Sequence, residues 1–266
     1  MRIRPIKTAI IAVLLTTGMA RAQNMTFTID PILSQFTLTV TTLLMGTPLA
    51  TSAQGAGSLV TGFGGSILAD VTGSTIQFLP GSLLSALNSG SWLPGNDYAA
   101  GDYLTASDPA NYGMVTDLRS LGFSSTEPSA VRDLQISLVM GTPVSLTGGV
   151  FDEGGITTDY TDGTVFYSVG GYPPVTDLTT VTPNPTQSSA SPATVTTLGN
   201  ETTLVMPFAM HSEYYVNMLL VQQDYAGTLY GTYSIPEPST LALLLLGGPA
   251  MAGLARRRRG PQANNE

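Results

Sequence analysis

The sequence predicts an all-β protein, an antiparallel β-sandwich or barrel-like body between an N-terminal signal peptide and a C-terminal transmembrane helix. Three observations carry this. Apolar residues of the body recur at period two, as in Phe36, Leu38 and Val40, which alternate with Thr37, Thr39 and Thr41. That period puts one set of side chains on a core face and the other toward solvent. Glycine (29 residues) and proline (18 residues) break the alternating runs at short intervals, as in sandwiches and barrels. The long uncharged apolar runs, and most of the positive charge, are confined to the two ends.

Residues 1–22 have the three parts of a secretory signal. Arg2, Arg4 and Lys7 make a positive start, Ala9 to Ala20 is apolar but short for a span, and Ala20-Arg21-Ala22 is a small-residue cleavage site. The mature chain is expected to begin at Gln23. Residues 23–235 form one exported domain. Strands are expected at Met25–Ile29, around Phe36–Val40, at Ser58–Phe63, Ser66–Val71, Thr75–Leu79, Leu134–Met140, Thr164–Val169, Thr202–Phe208, around Val216–Leu220 and at Gly227–Ser234. Thr, Val, Ile and Tyr, frequent in these runs, suit pleated half-buried surfaces. The segment from Pro80 to Leu87 reads equally as a short helix, with Ser82 as its cap and Leu83, Leu84 and Leu87 on one face, or as a loop. Leu44-Met45-Gly46-Thr47-Pro48-Leu49 echoes Val139-Met140-Gly141-Thr142-Pro143-Val144, through chance or shared turn chemistry more readily than through duplication. Residues 170–200 are rich in Thr, Pro and Ser and read as an extended loop.

Charge narrows the function. Of the 10 Lys and Arg residues, only Arg119 and Arg132 lie in the body, against 16 of the 18 Asp and Glu, so its formal charge is −14. Such a body has no basic face with which to meet phosphates, which excludes nucleic acid as a partner. The chain has no Cys and a single His, His211, so thiolate nucleophiles and multi-histidine metal centres are excluded. A Ser-His-Asp relay could use only His211, no G-x-S-x-G elbow occurs, and the Gly-rich pieces complete no phosphate loop. The reading is therefore of a protein that is not an enzyme. The one cofactor considered is calcium, with Asp152, Asp159 and Asp162 as oxygen ligands beside Glu153 and flanking glycines. A second acidic group comprises Asp97, Asp102 and Asp108. Trp92, Tyr98, Tyr103 and Tyr112 lie near it and would suit a sugar-binding platform, or, with paired carboxylates, a glycan hydrolase. Solvated acidic loops and aromatic loop anchors are the plainer readings of both.

The C-terminal end has a fixed order. Pro236-Glu237-Pro238 comes first, then the uncharged Leu-rich stretch Ser239 to Ala255, then Arg256, Arg257, Arg258 and Arg259, with a short tail over 260–266. A transmembrane helix is expected over 240–255, with the arginines stopping transfer on the cytoplasmic side. Residues 236–259 resemble the PEP-CTERM sorting signal of Gram-negative bacteria in Ile235-Pro236-Glu237-Pro238-Ser239-Thr240-Leu241-Ala242-Leu243, the Leu/Gly/Ala helix and the terminal arginine run. The resemblance implies recognition by exosortase, a membrane-embedded cysteine protease-transpeptidase, with Pro236, Glu237 and Pro238 as its recognition motif. It also implies transient anchoring in the inner membrane, then release to the cell surface or extracellular matrix, often in bacteria that make exopolysaccharide. The expected function is that of an exported structural or adhesive protein, with exopolysaccharide as a candidate partner. The alternatives are a carbohydrate-binding or calcium-dependent lectin-like module and, further off, a secreted glycan hydrolase.

Overall fold

A computed structural model describes residues 23–96, 104–122, 125–168, 175–183, 192–216 and 218–234. The first strands are β1 (Gln23–Ile29), β2 (Gln35–Leu44), β3 (Thr47–Leu49), β4 (Thr51–Ala53), β5 (Val60–Val71), β6 (Thr75–Phe78) and β7 (Leu83–Ala86). Next come β8 (Gly90–Trp92), β9 (Asp108–Ala110), β10 (Tyr112–Asp117), β11 (Thr126–Met140), β12 (Val144–Ser145) and β13 (Val150–Phe151). The last are β14 (Ile156–Tyr167), β15 (Val175–Asp177), β16 (Ala193–Leu198), β17 (Glu201–Val216) and β18 (Leu219–Ser234). The helical content among the described residues is two single-turn 3-10 segments, Arg119–Leu121 and Leu178–Thr180. No helix among them is long and apolar enough to cross a membrane. The span expected over 240–255, and the signal peptide, lie outside the described residues.

All registered strand pairs of the main sheet are antiparallel, and its principal path runs β13-β16-β17-β18-β1-β5-β7-β11-β10-β4. β1 and β2 occupy one line between β18 and β5. β1 meets them through Thr28↔Thr232 and Thr28↔Ser66, and β2 through Phe36↔Gly227 and Phe36↔Thr61. The chain steps out of this line at 30–34. There Asp30 Oδ1 accepts the Ile32 amide at 2.8 Å, and Ser34 Oγ accepts the Tyr230 amide at 2.9 Å. The sheet curls until its inner faces meet. Tyr160 of β14 donates to Ser212 Oγ of β17 at 3.0 Å, and the Tyr112 and Tyr225 rings cross edge-on at 5.6 Å. One apolar cluster fills the interior. Phe36, Leu38, Leu134, Ile136 and Leu138 belong to it, and Val40 packs against it, as the alternation requires.

Two local readings change. The segment with Leu83 and Leu84 is strand β7, not a helix. Ser82 Oγ accepts the Leu68 amide at 3.0 Å and donates to the Leu79 carbonyl at 2.9 Å, so it joins the chain to β5 instead of capping a helical turn. The echoed hexapeptides take different paths. Met45 (φ 49°) and Gly46 (φ 82°) form the tight turn that folds β3 back on β2. Met140, in contrast, is a buried end of β11, and the chain runs on to β12, which pairs with β6. The two copies do not mark matched halves of the fold.

Trp92 and Tyr112 are anchors. Tyr112 is fully buried in the core. Trp92 lies on a floor of glycines: a Cβ on Gly113 would come within 2.4 Å of Trp92 Cγ, and one on Gly90 within 2.6 Å of Cζ2. Its indole N–H donates to Ser89 Oγ at 2.8 Å. Buried Arg132 clamps the same segment, donating to the carbonyls of Trp92 (3.0 Å), Pro94 (2.7 Å) and Pro109 (3.2 Å), with its guanidinium over the Phe166 ring. Tyr98 and Tyr103, with Asp97 and Asp102, lie outside the described residues. Asp108 accepts the Asn96 amide at 2.7 Å and closes the loop at its base.

Candidate functional site

The expected calcium ligands are not gathered. Among the described residues no group of three or more His, Cys, Asp or Glu side chains is placed to hold a metal ion. Asp159 and Asp162 stand on β14, opposite Ser137 and Gln135, with a register shift between them that breaks the alternation. Asp152 accepts the Gly154 amide at 2.9 Å and Asp162 the Gly163 amide at 2.8 Å. Glu153 turns inward, is buried, and accepts the Ala193 amide at 3.3 Å. The glycines that were to fold a loop around an ion instead turn the chain into and along strands.

The distinctive surface is the outer face of β2, β18 and β17. At its far end lies an apolar row of cross-strand neighbours, Pro48↔Leu43↔Leu220↔Tyr215. Tyr215 is 72% exposed, and Met45 (85%) and Met218 (67%) project from the neighbouring turns. Large side chains on a solvent face mark contact surfaces when they are contiguous.

One register step inward the face becomes polar. Thr41↔Gln222↔Glu213 and Thr39↔Asp224↔His211 are adjacent rows. His211 Nδ1 lies 2.7 Å from Asp224 Oδ1, and Nε2 lies 3.2 Å from Glu213 Oε1, which also accepts from Gln222 at 2.5 Å. The Asp224 hydrogen bond is the main reason the imidazole pKa is raised; partial burial opposes it, and Glu213 adds a lesser upward push. Glu213 is held below the usual carboxylate range by Gln222 and then by His211. Carboxylates engage both ring nitrogens, whereas a nucleophilic relay needs one nitrogen on a hydroxyl. Ser212, the nearest serine in sequence, points to the opposite face and is bonded to Tyr160. The group ties two strands together.

Near the other end of β18 the face carries a hydroxyl row across five strands, Thr196↔Thr203↔Thr232↔Thr28↔Ser66. β18 ends two residues later at Ser234, opposite Glu201. Gln23, the first residue after the expected Ala20/Ala22 cleavage site, donates to Tyr233 Oη at 3.2 Å. Both ends of the body therefore emerge together. An open cavity of about 280 Å³, lined by Gln23, Met25, Thr72, Val195 and Thr197 among others, lies at this same end.

What continues from Ser234 decides the protein's destination. Residues 234–259 match the PEP-CTERM protein-sorting motif. The chain carries a PEP-CTERM sorting signal. That signal implies export, C-terminal membrane anchoring during sorting, and processing by exosortase. Its Pro236, Glu237, Pro238 and Arg256 to Arg259 lie outside the described residues, but its first residue is the last of β18. No curated protein and no solved structure matches the chain.

The apolar row was not visible in the sequence. Tyr215, Leu220, Leu43 and Pro48 are scattered along the chain and become neighbours only through register. The breaks in alternation at Leu219 to Val221 were the available signal, since they put apolar residues on both faces at that end.

Proposed function

We propose that the body is a non-catalytic structural or adhesive domain, displayed at the cell surface or in the extracellular matrix after exosortase processing, with the apolar end of the β2–β18–β17 face as its contact surface. The observation that carries this reading is the direction of β18. It starts at the apolar end and runs 16 residues to the sorting motif. At about 3.3 Å per residue, that separates the contact surface from the attachment point by about 50 Å. A domain anchored at Ser234, with Gln23 beside it, holds Tyr215, Met218 and Met45 away from the membrane.

The body's charge supports the same reading. Near the apolar end, Glu213 and Asp224 share the single imidazole of His211, which offsets part of their charge, and the row itself carries none. An uncharged contact surface on a strongly acidic body suits a neutral or apolar matrix partner better than an anionic one. The test is a pair of charge insertions, Tyr215→Asp with Leu220→Asp, in the full chain in its host. The account expects unchanged export and processing with loss of surface or matrix adhesion. Full adhesion at an unchanged surface level would remove this face from the function.

A further inference from the structure

The described methionines fall into two sets. Met25, Met114, Met140, Met206 and Met210 are buried in the apolar core. Met45 and Met218 are exposed, by 85% and 67%. Register brings these two to adjacent turns. Leu44 pairs with Leu219, so the residue that follows Leu44 and the residue that precedes Leu219 lie where the β2–β3 and β17–β18 connections adjoin. Both flank the apolar row Pro48↔Leu43↔Leu220↔Tyr215.

Neither packing nor backbone preference explains Met45. The pair Leu44↔Thr47 closes a two-residue turn over Met45 and Gly46, both at positive φ. Such turns favour Asn or Asp at the first position, because their short polar side chains tolerate the left-handed region. A methionine there carries backbone strain and gains no burial to offset it, and strain of that kind points to a use for the side chain. What this side chain offers is a thioether open to reagents from solvent. Thioethers are oxidised to sulfoxides, which turns a flexible apolar side chain into a polar one. The body's formal charge of −14 repels anionic oxidants but leaves a neutral one free to approach.

We propose that Met45 and Met218 form an oxidation site, at which a neutral hydroperoxide converts both thioethers to sulfoxides and so makes the apolar end of the β2–β18–β17 face polar. The sulfur lone pair attacks one peroxide oxygen. The O–O bond breaks as the S–O bond forms, and the second oxygen leaves with both protons as water when the oxidant is hydrogen peroxide. Sulfur gives up the two electrons that the peroxide gains. The five core methionines are shielded, so the fold is kept while this end changes character. The consequence for adhesion rests on the reading of this face as the contact surface, whereas the oxidation site itself does not.

Timed exposure of the exported protein to hydrogen peroxide, followed by peptide mass mapping and by retention on a hydrophobic-interaction column, tests this. Met45 and Met218 should each gain one oxygen before any core methionine does, with circular dichroism unchanged. Retention should fall in step and recover on treatment with the two methionine sulfoxide reductases. The double variant Met45→Leu with Met218→Leu should keep its starting retention under the same peroxide. Oxidation of Met45 and Met218 no faster than that of the core methionines, or two sulfoxides formed with no loss of retention, would overturn the proposal. The wild-type map and column decide the matter even if the variant does not fold. The charge insertions at Tyr215 and Leu220 judge the contact surface separately, so failure of one reading is distinct from failure of the other.

Discussion

Replacing Asn111 with Ala should be among the most damaging single changes in the body. Asn111 is 1% exposed and sits between β9 and β10. Its side-chain amide donates to the carbonyls of Ala86 (3.0 Å) and Leu87 (3.1 Å), and its oxygen accepts the Leu134 amide at 2.9 Å. Leu134 follows Asp133, whose φ of 55° marks the irregularity where β11 slips register against β14. The side chain thus supplies the bonds a regular ladder would have supplied at that point. Its loss takes that partner from the Leu134 amide and the Ala86 carbonyl, at about 1–3 kcal/mol each before relaxation, while the Leu87 carbonyl keeps the Thr61 hydroxyl. Allowing for partial rescue by water, a loss of about 3–5 kcal/mol is expected, against a typical total of about 5–15 kcal/mol. For a body of this size that corresponds to a fall in Tm of about 6–20 °C. Urea unfolding of the exported form, followed by tryptophan fluorescence and circular dichroism, measures it. Asn111→Leu separates bonds from volume, because it fills the space without restoring the bonds. A loss below about 1 kcal/mol for Asn111→Ala, or full recovery in Asn111→Leu, would refute the assignment of these hydrogen bonds as the source of stability.

Three further outcomes follow from the same structure. Gly227→Ala should destabilise the body by about 1–3 kcal/mol or more, seen as a lower urea midpoint, because its Cβ would lie 2.3 Å from the Gln35 carbonyl oxygen and 2.8 Å from the Phe36 ring. His211, with its pKa raised chiefly by Asp224, adds stability that is fully present below its unfolded pKa and fades as pH rises through the higher folded value. His211→Gln should abolish that dependence in melts from pH 5 to 9, and an unchanged profile would argue against the ion pairs. Asp117, drawn down to about 2 by hydrogen bonds from Arg119, should titrate by NMR near that value, and Arg119→Ala should return it to the ordinary range.

The sequence made the fold class legible because period two is a local property. Phe36, Leu38, Leu134, Ile136 and Leu138 need only strand geometry to face inward, and they do. The sorting signal was legible for a similar reason, since it is a contiguous order of motif, apolar run and arginines. Register, by contrast, is set by distant strands, so the row Pro48–Leu43–Leu220–Tyr215 and the hydroxyl row through Thr232 could not be read along the chain. The acidic residues expected to hold calcium are a similar case: Asp159 and Asp162 are fixed on β14 opposite Ser137 and Gln135, Asp152 lies in the chain before that strand, and among the described residues no group of three such side chains is placed to hold an ion. Trp92 looked like a binding platform, but what its ring meets depends on Gly55 and Gly113, distant in sequence, as well as on neighbouring Gly90.

The most direct test of the account is the C-terminus of the mature protein. Intact-mass and peptide mass spectrometry of the extracellular form should find Gln23 at the start. The chain should end within or just before Pro236–Ser239, after a β18 that is complete to Ser234. An exported form that still carries Leu241 to Arg259, or a protein recovered only from the cytoplasm, would contradict it.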